Sequence, residues 1–431
     1  MLVEFSVANF LSIKERQTLR MDASGISEFP ERVFEAGRQK LLRSAAIYGA
    51  NASGKSNLLK AIGDMVSILR TSAQRQSTDE IVVQPFLLNT ETAKQPSYFE
   101  VVFLIEQSQF RYGFEVDANA VKAEWLFEAK KLQERVLFIR DNDTIEVSKD
   151  FREGRGLEER TRTNALFLSV CDQFNGPLAK QIVSWFNHVL YTSGIDHDKY
   201  RKHLLRLIEA PTVKDELTAI VNNMNFGFLN FTPQKGEMDK DYLSGFSLEN
   251  QQLFYDLLSG KQTVAIKTIH KQYNADNLYI NDVELDLAQN ESSGTNKFFD
   301  LLAPIYLAIE RHGILVIDEL DAKLHPLLTQ AIIRLFNNPE TNPKNAQLIF
   351  ATHDTNLLTD GQFRRDQIWF TEKDQYGATC LYSLVEYKEE DGTKVRKDRS
   401  FETDYIQGRY GAIPYIGDFS KLFQHGPGSE N

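Results

Sequence analysis

The sequence predicts an α/β protein with a mixed sheet core, an antiparallel β-subdomain and a mostly helical insertion. Three observations carry that expectation. A short apolar strand, Ser44–Tyr48, runs into the glycine-rich turn GANASGKSN and then into a helix, whose Leu58, Ile62, Met65 and Leu69 form one apolar stripe. Ile314–Ile317 and Ala346–Ala351 are apolar without alternation, the pattern of strands buried on both faces. Between 98 and 148 the stretches YFEVVFLIE, FRYGFEVD, VKAEWLFEA, RVLFIR and TIEVS are separated by short polar breaks, as in an antiparallel meander.

The chain opens with two short strands around a turn: Val3, Phe5 and Val7 alternate, and Thr18–Met21 is extended. A loop with Gly25, Pro30 and Gly37 leads into the Ser44 strand. Residues 164–258 change character. LAKQIVSWFNHVL and KYRKHLLRLIEA read as helices, and a loop is expected over Asn225–Gly236. The strand pattern returns at 277–288, and a helix after Gly294 carries Phe298, Leu301, Leu302 and Ile305 on one face. The expected division is an N-terminal lobe (1–150), a mostly helical insertion (151–264), a C-terminal lobe (265–385) and a tail (386–431) that packs on the lobes or on a partner. The tail keeps Tyr405, Tyr410, Pro414 and Tyr415.

With 431 residues, 42% hydrophobic and 25% charged, the chain can bury a large core. No apolar run approaches the roughly 18–20 residues of a membrane span. The start MLVEFSVANF has neither a basic segment nor a long apolar one, so a cytoplasmic protein is expected. Cys171 and Cys380 lie far apart and read as spectator thiols. A net charge of −11 argues against non-specific coating of nucleic acid, although a local basic face stays open. Phe151–Asn164, FREGRGLEERTRTN, mixes acids among its arginines and reads as a solvated segment rather than a phosphate groove.

The segment Gly49-Ala-Asn51-Ala-Ser53-Gly54-Lys55-Ser56, followed by Asn57, fits G-x-x-x-x-G-K-[ST]. Its glycines let backbone N–H groups turn toward phosphates, and the helix N-terminus adds positive potential. Lys55 is placed to neutralise the phosphates and Ser56 to bind Mg²⁺, so ATP and Mg²⁺ are the expected cofactors. A second buried strand ends in Asp318-Glu319. Asp318 would hold Mg²⁺ through water, and Glu319 would polarise the attacking water. Strands often end in acids as the chain leaves a core; the pairing with the first motif gives these two their weight. His353 follows the strand QLIFA and could reach a γ-phosphate. Glu291-Ser292-Ser293-Gly294-Thr295 opens a helix whose free N–H groups suit an anion; the plainer alternative is an N-cap by Ser292 or Ser293.

Taken in order, these segments resemble the ABC-type P-loop ATPase head shared by SMC, RecF and OLD-like proteins. The resemblance implies a Walker A motif at 49–56, a signature at 291–295, a Walker B motif at 314–319, a D-loop at Leu320-Asp321-Ala322 and a switch histidine at His353. Gln84, in VVQPFLL, is the candidate Q-loop residue. The signature departs from the transporter form L-S-G-G-Q at Ser293 and Thr295 and keeps Ser292 and Gly294. Over nearly the whole chain the sequence is similar to prokaryotic AAA-family ATPases of the RloA and AbiL type. The phrases that carry this are NFLSIKE, IYGANASGKSNLLKAI, ESSGTNKFFDLL, DELDAKLHP, ATHDTNLL, QIWFTEKDQYGATCLYSL and GRYGAIPYIG.

That likeness implies Mg²⁺-dependent ATP hydrolysis and a homodimer or higher oligomer with ATP between the Walker A of one copy and the signature of another. It also implies an abortive-infection role beside a separate effector protein such as a nuclease. A DNA-clamping ATPase of the RecF or SMC type is the alternative, but neither sustained heptads nor a basic groove is legible. The altered signature disfavours a transporter subunit. Too few residues follow His353 for the fused nuclease domain of OLD proteins. The nearest acidic cluster outside the ATP site is Asp196-His197-Asp198, at a helix start where acids are favoured for structural reasons. The chain alone is therefore expected to cut neither DNA nor RNA.

Overall fold

The computed structural model describes residues 1–413 apart from 130–132, 194–197, 225, 238–261, 360, 390–391 and 398. Contacts divide the chain into two compact units. The first takes Met1–Tyr191, Arg311–Leu320 and Gln330–Asn431; the second takes Thr192–Glu310 and Asp321–Thr329. Among the described residues no helix is long and apolar enough to cross a membrane.

The first unit holds two large sheets. In the antiparallel one, β1 (Leu2–Ala8) lies between β2 (Gln17–Arg20) and β6 (Ser97–Ile105). The meander continues through β7 (Ser108–Val116), β8 (Val121–Ala129), β9 (Glu134–Asp141) and β10 (Thr144–Val147). These last five strands are the stretches expected between 98 and 148. A hairpin of β3 (Val33–Ala36) and β4 (Gln39–Leu42) stands apart.

The other large sheet has the order β11-β15-β16-β5-β17-β18. Its strands are β5 (Ser44–Gly49), β11 (Val189–Ser193), β15 (Ile314–Asp318), β16 (Gln347–Ala351), β17 (Ile368–Lys373) and β18 (Thr379–Ser383). The pairs β15–β16, β16–β5 and β5–β17 are parallel, and β18 returns antiparallel. Every residue of β5, β15 and β16 is buried, which is why their sequences show no alternation.

Helix α1 (Lys55–Ser72) packs against β5, β15 and β16 and against β1, α2 (Phe167–Gln173) and α3 (Pro177–Asn187). Its stripe of Leu58, Ile62, Met65 and Leu69 is buried as its periodicity requires. Glu124 of β8 holds α2 in place. Fully buried, its Oε1 accepts from the Tyr112 hydroxyl (2.9 Å) and Leu168 N–H (3.0 Å), and its Oε2 from Phe167 N–H (2.5 Å). The carboxylate thus satisfies N–H groups that the helix start leaves without intrahelical partners. Burial pushes this carboxyl up from its ordinary range, while Arg140 and the three donors resist.

The second unit holds helices α4 (Asp198–Leu207) and α5 (Pro211–Asn223) and a three-stranded antiparallel sheet, β12 (Asn230–Glu237), β13 (Gln262–Tyr273) and β14 (Tyr279–Asp286). A short helix α6 (Leu287–Asn290) and a long one, α7 (Ser293–Glu310), follow. Arg201 of α4 makes a two-pronged pair with the buried Asp300 of α7, at 2.8 and 3.0 Å. The segment expected as a helical insertion, 151–264, is distributed over both units, because α2 and α3 pack on α1 in the first.

The loop expected over Asn225–Gly236 is overturned in its second half, which forms β12. NFTPQKGE lacks apolar alternation and contains Pro233. It pairs as an edge strand with β13, a partner far along the chain, and an edge tolerates proline. Asp196 and His197 of the nuclease candidate lie outside the described residues, as do Pro414 and Tyr415; Asp198 begins α4.

Candidate functional site

Parallel pairing sets the ends of three strands at one sheet edge. Ile317 is opposite Phe350, and Ala351 is opposite Ile47, so Gly49 and Asp318, which end their strands, and His353, two residues past β16, lie where the strands leave the sheet on the same side. The carboxyl ends of parallel strands are where open α/β sheets bind ligands.

The loop from Gly49 wraps the Lys55 side chain. Lys55 is buried, and its Nζ donates to the carbonyls of Gly49 (2.7 Å) and Ala50 (2.9 Å). Asn51 and Ala52 form the exposed tip, with Ala52 at φ +63°. Gly54 caps α1 at φ +112°, a conformation that L side chains rarely adopt. A Cβ there would lie 2.1 Å from Thr379 Oγ1.

That threonine belongs to a relay that composition and motif reading did not reveal. Asn57 Nδ2 donates to Ser12 Oγ (2.7 Å), Ser12 Oγ pairs with Thr379 Oγ1 (2.8 Å), and Thr379 Oγ1 donates to the Ser53 carbonyl (3.0 Å). Ser53 Oγ pairs with Thr371 Oγ1 at 2.6 Å. The loop conformation is therefore held by β18, β17 and the turn after β1. Ser12 and Thr379 lie within NFLSIKE and GATCLYS, which carry the family likeness but announce no chemistry.

At the end of β15, Asp318 is buried, with the Ser56 hydroxyl beside its carboxylate. Asp318 Oδ1 has no hydrogen-bond partner among the described residues. Burial pushes the Asp318 carboxyl up, the Ser56 hydroxyl resists, the charge of Glu319 adds to the rise and Lys55 opposes it. A buried carboxylate oxygen without a donor, beside a serine hydroxyl, is a donor set of hard oxygens that fits Mg²⁺. Glu319 is half-buried and sits at φ +53°, a sparsely populated conformation for a glutamate and one that clusters at functional sites. His353 is exposed, two residues past the end of β16.

Ser292, Ser293, Gly294 and Asp321 belong to the second unit, whereas the P-loop, Asp318, Glu319 and His353 belong to the first. Ser292 caps α7: its Oγ accepts from Thr295 N–H (3.1 Å) and meets Thr295 Oγ1 at 2.9 Å. Ser293, the first residue of the helix, is exposed, and its hydroxyl has no hydrogen-bond partner among the described residues. The N-cap reading of this segment thus applies to Ser292. Gly294 is required by close approach, since a Cβ would lie 2.7 Å from the Lys323 carbonyl. The fully buried Lys297 reaches the Ala322 carbonyl at 2.6 Å, so the 321–323 turn is tied to the start of α7.

Gln84 lies in an extended stretch with its side chain exposed, held through its carbonyl, which accepts Leu11 N–H at 2.9 Å. The described part of the tail folds onto the loop. A short helix, Phe401–Ile406, carries Tyr405, whose ring meets Tyr48 edge-on (5.8 Å) and stacks on Phe370 (5.4 Å). The Gly49 N–H reaches the Tyr405 hydroxyl, and burial pushes that phenol up to about 12.

Residues 44–359 match the sequence family described as "AAA domain, putative AbiEii toxin, Type IV TA system". No curated protein matches the chain. The family match covers well over half of the sequence and takes in the P-loop, Asp318, Glu319 and His353. The chain belongs to this family of AAA domains, whose members are generally nucleotide-binding ATPases.

Proposed function

We propose that this chain is a cytoplasmic Mg²⁺-dependent ATPase of the RloA and AbiL type, which pairs with a second copy around ATP and gates a separate effector in abortive-infection defence. The observation that carries the reading is Asp318 Oδ1, buried without a donor beside the Ser56 hydroxyl at the edge where the P-loop leaves the sheet.

On this reading Ser56 and Asp318 would hold Mg²⁺, which would supply charge neutralisation for the phosphates. Lys55 exchanges its two loop carbonyls for phosphate oxygens. Gly49, Asn51, Ser53, Gly54 and Asn57 shape or complete that cradle, and Gln84 would serve as the Q-loop residue. Glu319 orients the attacking water and takes its proton, and His353 senses the γ-phosphate. From the second copy come the Ser293 hydroxyl and the open N–H groups of its α7, with Ser292, Gly294 and Asp321 setting the shape of that terminus. Hydrolysis removes the charge that holds the pair, so the assembly works as a switch for its effector, for which a nuclease is the expected kind.

The test compares wild type, Lys55→Ala and Glu319→Gln for nucleotide affinity, turnover and mass in solution with and without ATP. Glu319→Gln is expected to bind ATP, to turn over slower by roughly 10² or more, and to stay paired; it is then the bait for recovering the native effector. Lys55→Ala is expected to lose tight binding. Near-normal turnover by a folded Glu319→Gln would overturn the catalytic assignment.

A further inference from the structure

A second site opens at the far end of β15. Ile314, its first residue, donates to the His188 carbonyl at 2.9 Å. It lies four residue steps before Asp318, or about 13 Å along an extended strand. There the end of α3, the Arg311-His312 turn, the hairpin at Glu35–Gly37 and the turn at Glu106 surround a cavity of about 940 Å³. All of its lining lies within the first unit.

The charge around this cavity is not balanced. Lys180, His188, Arg311 and His312 line it, and none makes an ion pair or a side-chain hydrogen bond with another described residue. The acids that line it are Glu35 and Glu106, both exposed. Elsewhere in this chain of net charge −11, several guanidinium groups meet a carboxylate: Arg111 with Glu134, Arg364 with Asp366, Arg201 with Asp300. Burial lowers the proton affinity of His188 first, and Arg311, His312 and the N-terminal amine of Met1, which also lines the cavity, lower it further. A helix C-terminus favours one nearby cation, which accounts for His188 at the end of α3 but not for four basic groups around one opening.

We infer that this cavity is a second anion site, separate from the P-loop, that takes a terminal phosphate carried by a nucleotide-sized molecule. Chemistry and size both lead there. Unpaired Lys and Arg groups with imidazoles match a phosphate, Arg by a planar fork and Lys by a point charge. The volume lies within the range of about 300–1,000 Å³ that small-molecule sites occupy, well beyond the needs of an inorganic ion. Leu104 and Trp185 supply an apolar wall for the organic part. A free nucleotide and the phosphorylated end of a strand share this chemistry.

The test is calorimetry on the full chain with its P-loop saturated by a non-hydrolysable ATP analogue. The probes are uridine monophosphate, uridine, and a ten-nucleotide DNA with either a 5′-phosphate or a 5′-hydroxyl. The variants are Arg311→Ala/His312→Ala and, independently, Lys180→Glu, all at exposed positions. Lys55→Ala reports any contribution from the P-loop. Binding of uridine monophosphate or of the 5′-phosphorylated DNA is expected, unchanged in Lys55→Ala and weakened at least tenfold in both cavity variants, with no binding of uridine. The nucleotide alone identifies a free ligand; the phosphorylated DNA without its hydroxyl counterpart identifies a strand end. Equal binding of both DNAs, unchanged affinity in folded cavity variants, or no binding of either phosphate probe would overturn the inference.

Discussion

Replacing Gly54 by alanine tests whether the relay behind the P-loop sets its conformation. The new Cβ would lie 2.1 Å from Thr379 Oγ1 and 2.7 Å from its Cγ2. Two costs follow. An L side chain at φ +112° is strained by about 1–2 kcal/mol or more. Thr379 must also move off Ser12 and the Ser53 carbonyl, giving up two hydrogen bonds worth about 1 kcal/mol each. The expected loss is about 3–4 kcal/mol, a large part of the roughly 5–15 kcal/mol that keeps a domain folded. Thermal unfolding reads the stability, and titration with a fluorescent nucleotide reads the loop, where binding should fall with it. A double-mutant cycle isolates the clash: in a Thr379→Ala background, Gly54→Ala should cost less by about 1 kcal/mol or more, because the nearest atoms are gone. Strict additivity, or a Gly54→Ala chain that melts and binds as wild type does, would refute the account of the loop.

Glu124→Gln leaves one of three buried donors without an acceptor and should cost about 1–3 kcal/mol, measured by denaturant unfolding. It should also flatten a pH slope. The folded carboxyl titrates above its ordinary value of 4.5, so the folded state keeps a proton that the unfolded state releases, and wild-type stability falls as pH rises from there through the raised value. A slope that persists in Glu124→Gln would assign it to other groups. Gly294→Ala should lose ATP-driven pairing while the single chain still binds nucleotide, because the Lys323 carbonyl must give way before any partner is met; unimpaired pairing in light scattering would show that the approach is not tight. Asp318→Asn removes a carboxylate whose charged form burial disfavours, so the nucleotide-free chain should melt higher. In the same variant Mg²⁺ with ATP should no longer shift the melting temperature as it does in wild type, and a preserved Mg²⁺-dependent shift would place the metal elsewhere.

What could be read in the residues was local in kind. A P-loop is a consecutive string whose glycines and lysine act within one turn, and a strand buried on both faces loses its alternation at once. The five meander strands announced themselves through alternation between polar breaks. β12 did not, because an edge strand containing proline is specified by its partner β13 rather than by its own pattern. The unit boundaries escaped composition for a similar reason: α2 and α3 look like the helices that follow them, and only packing on α1 assigns them to the first unit.

The sequence by itself determined the P-loop string, the buried strand ending in Asp318-Glu319 and the likeness to an ATPase family, since each rests on short consecutive segments. Tertiary structure alone decided how those segments are held. Ser12 and Thr379, separated by 367 positions, meet at 2.8 Å to brace the loop. Tyr405 arrives from the tail to cover Gly49, and Glu319 takes a left-handed conformation as the chain leaves β15. Lys180 and His188 come from α3 and its end, Arg311 and His312 from the turn before β15, and no spacing in the chain brings them together. Hydroxyl relays and charge clusters depend on distances of a few ångströms between residues far apart in sequence, and such distances exist only once the sheets have paired.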